Sequence, residues 1–122
     1  MELVEEELTY RIRGCVFEVF RELGAGYLEK VYENALFSEL SRSGLAAECQ
    51  VPLNVQYKGE IVGQFFADLV VEGRVLIELK ALSAIAPEHE AQILNYLKAT
   101  SLPLGLLINF REPKAEIRRY IL

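Results

Sequence analysis

The sequence predicts an α/β fold in which a mixed β-sheet is flanked by helices, and three observations carry the prediction. Apolar residues recur at helical spacing over the first third of the chain. A run of alternating residues broken by glycine turns follows. Near the C-terminus, Leu104 to Phe110 is apolar at consecutive positions, as in a strand buried on both faces.

The elements can be justified in order. From about Glu5 to Leu23, residues Leu8, Ile12, Cys15, Val16, Val19 and Leu23 form one apolar stripe, and Gly24 closes the segment as a C-terminal cap does. A second helix is expected from about Leu28 to Ser43, with Leu28, Val31, Tyr32, Ala35, Leu36 and Leu40 as its apolar face and Gly44 at its end. Val51, Leu53, Val55 and Tyr57 then alternate with polar or turn-forming residues. Lys58-Gly59 turns the chain into a strand from Ile61 to Val71, and Glu72-Gly73 leads to another from Val75 to Leu82, giving a three-stranded antiparallel meander. Pro87 suits the first turn of a helix whose apolar face holds Ile93, Leu94 and Leu97. After the Leu104 to Phe110 strand, Glu112-Pro113 precedes a last strand from about Glu116 to Leu122. The predicted order is helix, helix, three strands, helix, strand, strand.

With 122 residues the chain is expected to form a single domain, residues 1–122, with the helix of about residues 5–23 packed on its core. A hydrophobic share of 52% and a charged share of 25% exclude a disordered tail. No apolar run is long enough to cross a bilayer, and the acidic start, Met1 to Glu7, lacks the basic-then-apolar pattern of a secretion signal. These features lead to the expectation of a cytoplasmic protein without a membrane partner, in which Cys15 and Cys49 are both reduced and buried. The net charge of −5 is the wrong sign for a protein that binds nucleic acid by bulk charge. Lys98, Arg111, Lys114, Arg118 and Arg119 gather toward the C-terminus, either as a local basic rim or as the solvated charges of an edge strand.

The chemistry is concentrated in the middle of the chain. Asp68 is followed ten residues later by Glu78-Leu79-Lys80, on strands joined at Glu72-Gly73. Glu78 and Lys80, two apart on a strand, project to the same face. A two-residue loop at Glu72-Gly73 would pair Asp68 with Ile77 and send Asp68 to the opposite face. An odd loop, either Val71-Glu72-Gly73 or Glu72-Gly73-Arg74, brings Asp68 beside or diagonal to Glu78, and the odd loop is expected. All three charges are embedded in apolar sequence, where a charge must be paired, bound to metal or neutralised. Two carboxylates and a lysine on one face suggest a divalent-metal phosphodiesterase site; the plainer alternative is a salt bridge to Lys80 on a solvent face. Glu29, in the first turn of the second helix, is favoured there by the helix dipole and shares a face with Tyr32. His89, Gln92 and Tyr96 form a stripe along the later helix beside Ile93 and Leu97. For His89 a supporting role is expected rather than metal ligation.

These residues resemble the GxxExxY family, small prokaryotic proteins placed in the PD-(D/E)XK nuclease superfamily. The resemblance rests on Gly26-Tyr27-Leu28-Glu29-Lys30-Val31-Tyr32, the Asp68 strand, Val75-Leu76-Ile77-Glu78-Leu79-Lys80-Ala81, the helix from His89 through Gln92 and Tyr96 to Thr100, and Gly105-Leu106-Leu107-Ile108-Asn109-Phe110. It extends from about Leu8 to the C-terminus. Ala67 stands where the superfamily pattern has proline. The resemblance implies a three-layer nuclease-like core with the site on its central hairpin. In that picture Asp68, Glu78 and the backbone carbonyl of Leu79 hold Mg²⁺, for which Mn²⁺ can substitute. Lys80 positions or activates the attacking water, and Glu29 supports this metal or a second one. Gln92 and Tyr96 resemble the Gln-x-x-x-Tyr motif of a branch that includes exonucleases acting at DNA ends, where the glutamine orients the lysine or the scissile phosphate. Tyr32 and His89 complete the surroundings. The implied partner is nucleic acid, DNA before RNA, with a homodimer or a protein partner as further expectations. The competing expectation is a nuclease-fold module without turnover that binds protein or nucleic acid.

Overall fold

The structure is a computed structural model and describes residues 3–122, so Met1 and Glu2 of the acidic start lie outside the described residues. Its elements follow the predicted order: α1 (Glu6–Leu23), α2 (Glu29–Arg42), β1 (Ala47–Tyr57), β2 (Glu60–Val71), β3 (Val75–Lys80), α3 (Pro87–Thr100), β4 (Leu104–Asn109) and β5 (Glu116–Tyr120). The five strands make one sheet in the order β1-β2-β3-β4-β5. Neighbours are antiparallel except β3 and β4, which run parallel and are joined across the sheet by α3. Among the described residues no helix is long and apolar enough to cross a membrane.

Two apolar clusters divide the molecule into three layers. On one face, Leu8, Ile12, Val16 and Val19 of α1 and Tyr32, Leu36 and Leu40 of α2 pack on Leu69, Val71, Ile77, Leu106 and Ile108. On the other, Ile93, Tyr96 and Leu97 of α3 pack on Val70, Leu76 and Leu107. All six residues of β4 are buried, as its unbroken apolar run requires. α3 packs closely on Gly105: a Cβ there would lie 3.0 Å from Ile93 Cδ1 and 3.1 Å from Leu97 Cδ1, so those side chains would have to give way.

Several expectations need correction. Cys15 is buried but Cys49, on the edge strand β1, is exposed. Leu28 and Val31, assigned to the apolar face of α2, are exposed, and the acid Glu33 is buried instead. Val55 and Tyr57 are exposed although they alternate with polar neighbours. The reason is that β1 and β2 outrun the helices and continue as a two-stranded arm, closed by Lys58-Gly59 with φ of 51° and 85° and Tyr57 paired with Glu60. Pro52 sits within β1, on an edge of the sheet, where a missing N–H is tolerated. Two of the C-terminal basic residues are engaged within the fold: Arg118 pairs with Glu116 and Glu90, and Arg119 donates to Thr9 Oγ1 and the Val4 carbonyl.

The arm leaves the core through an irregularity in both of its strands. Cys49 pairs with Leu69 and Val51 with Ala67, but Gln50 and Asp68 between them are missing from the ladder, and Gln50 has φ of 50°. Leu69 and Val71 belong to the cluster beneath α1 and α2, whereas Ala67 belongs to the one beneath α3. A regular strand would keep these odd-numbered residues on one face. The sheet therefore turns over at Asp68.

Candidate active site

The hairpin loop sets the parity of the two acids. Val71 pairs with Val75, Val70 with Leu76 and Leu69 with Ile77, so the loop is the three-residue Glu72-Gly73-Arg74, with φ of 55° at Glu72 and 63° at Gly73. Of the two odd loops the sequence allows, this one places Asp68 opposite Glu78. The ladder stops at Leu69 and Ile77, and from there side chains replace backbone as partners. The Asp68 N–H donates to Glu78 Oε1 at 3.1 Å, and the Leu79 N–H donates to Asp68 Oδ2 at 2.8 Å.

Two carboxylates face each other in a largely buried site, and their electrostatics reflect it. Burial pushes the Glu78 carboxyl up to about 8, with the Asp68 charge acting in the same direction and the Asp68 N–H and Lys80 opposing it. Burial also raises Asp68, against the hydrogen bond from Leu79; the charge of Glu33 adds to the rise. Lys80 is partly buried at the end of β3, and among the described residues it forms no ion pair. The simple salt bridge to Lys80 is thus not what the structure shows. Lys80 does act on both acids as a charge that lowers their pKa.

The other residues reach the site to different degrees. Glu29 is the first residue of α2; its carboxyl is raised by partial burial and feels the charges of Lys80, Asp68 and His89. His89 uses Nδ1 to accept the Ala86 N–H at 2.9 Å, which caps α3. Gln92 Nε2 donates to the Tyr96 hydroxyl at 3.0 Å. Tyr96 is buried against the sheet, and burial pushes its hydroxyl up, helped by the charge of Glu78, opposed by the hydrogen bond from Gln92 and helped in smaller measure by the charge of Asp68. Tyr32 is fully buried and stacked on Phe110 with ring centroids 4.3 Å apart. Its hydroxyl donates to the Gly24 carbonyl at 2.6 Å and accepts from the Tyr27 N–H, so it holds the loop that leads into Glu29.

Two residues that the sequence did not assign to the site, Glu33 beside Glu29 and Tyr32 on α2 and Gln50 on β1, complete the arrangement. Glu33, 4% exposed, is paired with Lys30 at 2.6 Å and accepts from Gln50 Nε2 at 2.8 Å. The same amide lies 3.3 Å from Asp68 Oδ1, so a chain of contacts runs from Lys30 through Glu33 and Gln50 to the acid at the turnover of the sheet. Glu33 was detectable: Glu29, Glu33, Leu36 and Leu40 lie on one helical stripe, which puts an acid among core residues. Gln50 left no such signal, since a positive φ at a residue other than glycine is not written in alternation.

The donor chemistry suits a hard divalent cation. Among the described residues no group of three or more His, Cys, Asp or Glu gathers as a metal cluster, and the acids that converge are the pair Asp68 and Glu78. Mg²⁺ keeps several waters and is commonly held by one or two carboxylates, so a pair with a neighbouring backbone carbonyl fits it.

A family model for the PD-(D/E)XK nuclease superfamily matches residues 6–120. Among solved structures, the chain is similar to the crystal structure of SSO0001, with a TM-score of 0.61 and 19% identity; the likeness covers 96% of this chain and 58% of that one. No curated protein matches.

Proposed function

Because the chain belongs to the PD-(D/E)XK nuclease superfamily, we propose that it is a Mg²⁺-dependent nuclease of the GxxExxY type that hydrolyses phosphodiester bonds, DNA before RNA. The observation that carries this reading is the facing of Asp68 and Glu78 across the three-residue loop, with Lys80 two residues beyond Glu78 and unpaired among the described residues. Asp68, Glu78 and the Leu79 carbonyl would hold the ion. When bound, Mg²⁺ would supply positive charge to offset the negative charge developing on the phosphate. Lys80 orients the attacking water and stabilises its deprotonated form. Glu29 adds negative charge at the start of α2, and Gln92, hydrogen-bonded to Tyr96, orients the scissile group from α3.

The test is hydrolysis of labelled single- and double-stranded DNA and RNA by the purified protein in Mg²⁺, Mn²⁺ or EDTA, alongside Lys80→Ala. The expected outcome is cleavage that needs the metal and is lost in the variant. A second reading, a binding module without turnover, draws support from the net charge of −5 and from the internal pairing of Arg118 and Arg119. Intact binding without cleavage under every metal condition is the result that would favour it.

A further inference from the structure

Beside the acids, a groove of about 840 Å³ runs between the β1–β2 arm and the outer side of α3. Gln92 and Tyr96 belong to its wall and to the candidate site, so the groove continues from the place where the phosphodiester would be cut. Carboxamides dominate its polar lining, with Asn54 and Gln56 on the arm and Gln92 and Asn95 on the helix. Lys98 is the one basic residue in it and Glu88 the one acid. Phe65 is 45% exposed, its ring lies 5.6 Å from the Tyr96 ring, and a Cβ on Gly63 would stand in ordinary contact with it at 3.4 Å.

A surface this poor in cations cannot hold a duplex by its phosphates, which is how duplex binders gain most of their affinity. Carboxamides offer paired donors and acceptors to the edges of unpaired bases, and an aromatic face stacks on any base. We infer that this groove binds a single-stranded segment of polynucleotide, with a base stacked on Phe65 and base edges met by Asn54 and Asn95, and leads the strand to the acids. The assignment rests on the nuclease reading for its orientation, but its test does not depend on turnover.

Fluorescence anisotropy in EDTA, where hydrolysis is blocked, would measure binding of labelled oligo-dT, oligo-U and a hairpin duplex. Both single strands should bind more tightly than the duplex, and their relative affinities would tell DNA from RNA. Phe65→Ala should weaken single-strand binding about tenfold, with a salt slope of about −1 or shallower because so few phosphates are neutralised. Asn95 is exposed on α3, so Asn95→Glu should keep the fold and weaken binding too. The inference is overturned if duplex binds as well as single strand, if both variants bind like wild type, or if the slope is steep. It is also overturned if Phe65→Ala dissolves a self-associated form without changing binding. Loss of cleavage in Lys80→Ala with unchanged binding in Phe65→Ala would remove the groove and leave the nuclease reading standing.

Discussion

Glu78 is the residue on which chemistry and stability conflict. Its carboxyl is pushed to about 8, mainly by burial, so the folded protein binds that proton more tightly than the unfolded chain does. For a carboxyl raised in this way, the stabilising effect is present at low pH and is lost as pH rises from the ordinary value of 4.5 through about 8. Each tenfold change in proton affinity is worth about 1.4 kcal/mol, so the loss is on the order of a few kcal/mol. Asp68, raised in the same direction, adds to it. Glu78→Gln keeps the shape without the charge, and its unfolding free energy in EDTA should be flatter between pH 5 and 9 than that of wild type, while its response to Mg²⁺ disappears. Parallel curves for the two proteins would show that Glu78 is not held against its charge. At this scale the sequence spoke clearly for Asp68, Glu78 and Lys80, whose types and spacing are local. Gln50 stayed hidden because its importance comes from a backbone angle and from contact with Glu33, seventeen residues away on another element.

Elements were legible where one face meets one layer. The stripe of α1, the cap at Gly24 and the unbroken run of β4 each follow from periodicity, and the structure has them at the expected places. Alternation failed in β1 and β2, because the strands turn over at Asp68 and then leave the core. Phe65-Phe66-Ala67 has no alternation to interpret, and Val55 and Tyr57 look inward-facing only if the sheet is assumed to continue beneath a helix. The seating of α3 on β4 is a more demanding fit. Gly105→Ala would press a methyl against Ile93 and Leu97 at the distances given above, and overpacking of this kind costs about 1–3 kcal/mol. A lower urea midpoint with unchanged slope should follow and, on the proposed nuclease reading, slower cleavage, because α3 carries Tyr96 and its partner Gln92. A midpoint equal to that of wild type would mean that the helix can shift without strain.

For the whole molecule, the three layers place the acids where β2 parts from β3, with Glu29 at the start of α2 and Tyr96 of α3 near enough to share their field. A cation held there joins neighbouring strands, and folding should be linked to it. Mg²⁺ at one hundred times its dissociation constant should add about 2.7 kcal/mol to stability, a shift of several degrees in melting temperature. Asp68→Ala should abolish the shift, as read by differential scanning fluorimetry; an equal shift in wild type and variant would place the ion elsewhere. Element order was legible because glycine or proline marks most of the turns between elements. The arm was not, because its residues have strand composition whether or not a helix covers them.

Pro52 bears on how one copy of the chain meets another. β1 is eleven residues long and has a neighbour in the sheet on one side only, so it presents a row of backbone groups to which a further strand could add. A proline at the middle of an edge strand is one of the features by which such strands discourage further pairing. An arm carrying Val55, Tyr57, Ile61, Val62, Phe65 and Phe66 in the open is thereby guarded against aggregation along its backbone, while its side chains stay free to meet a ligand.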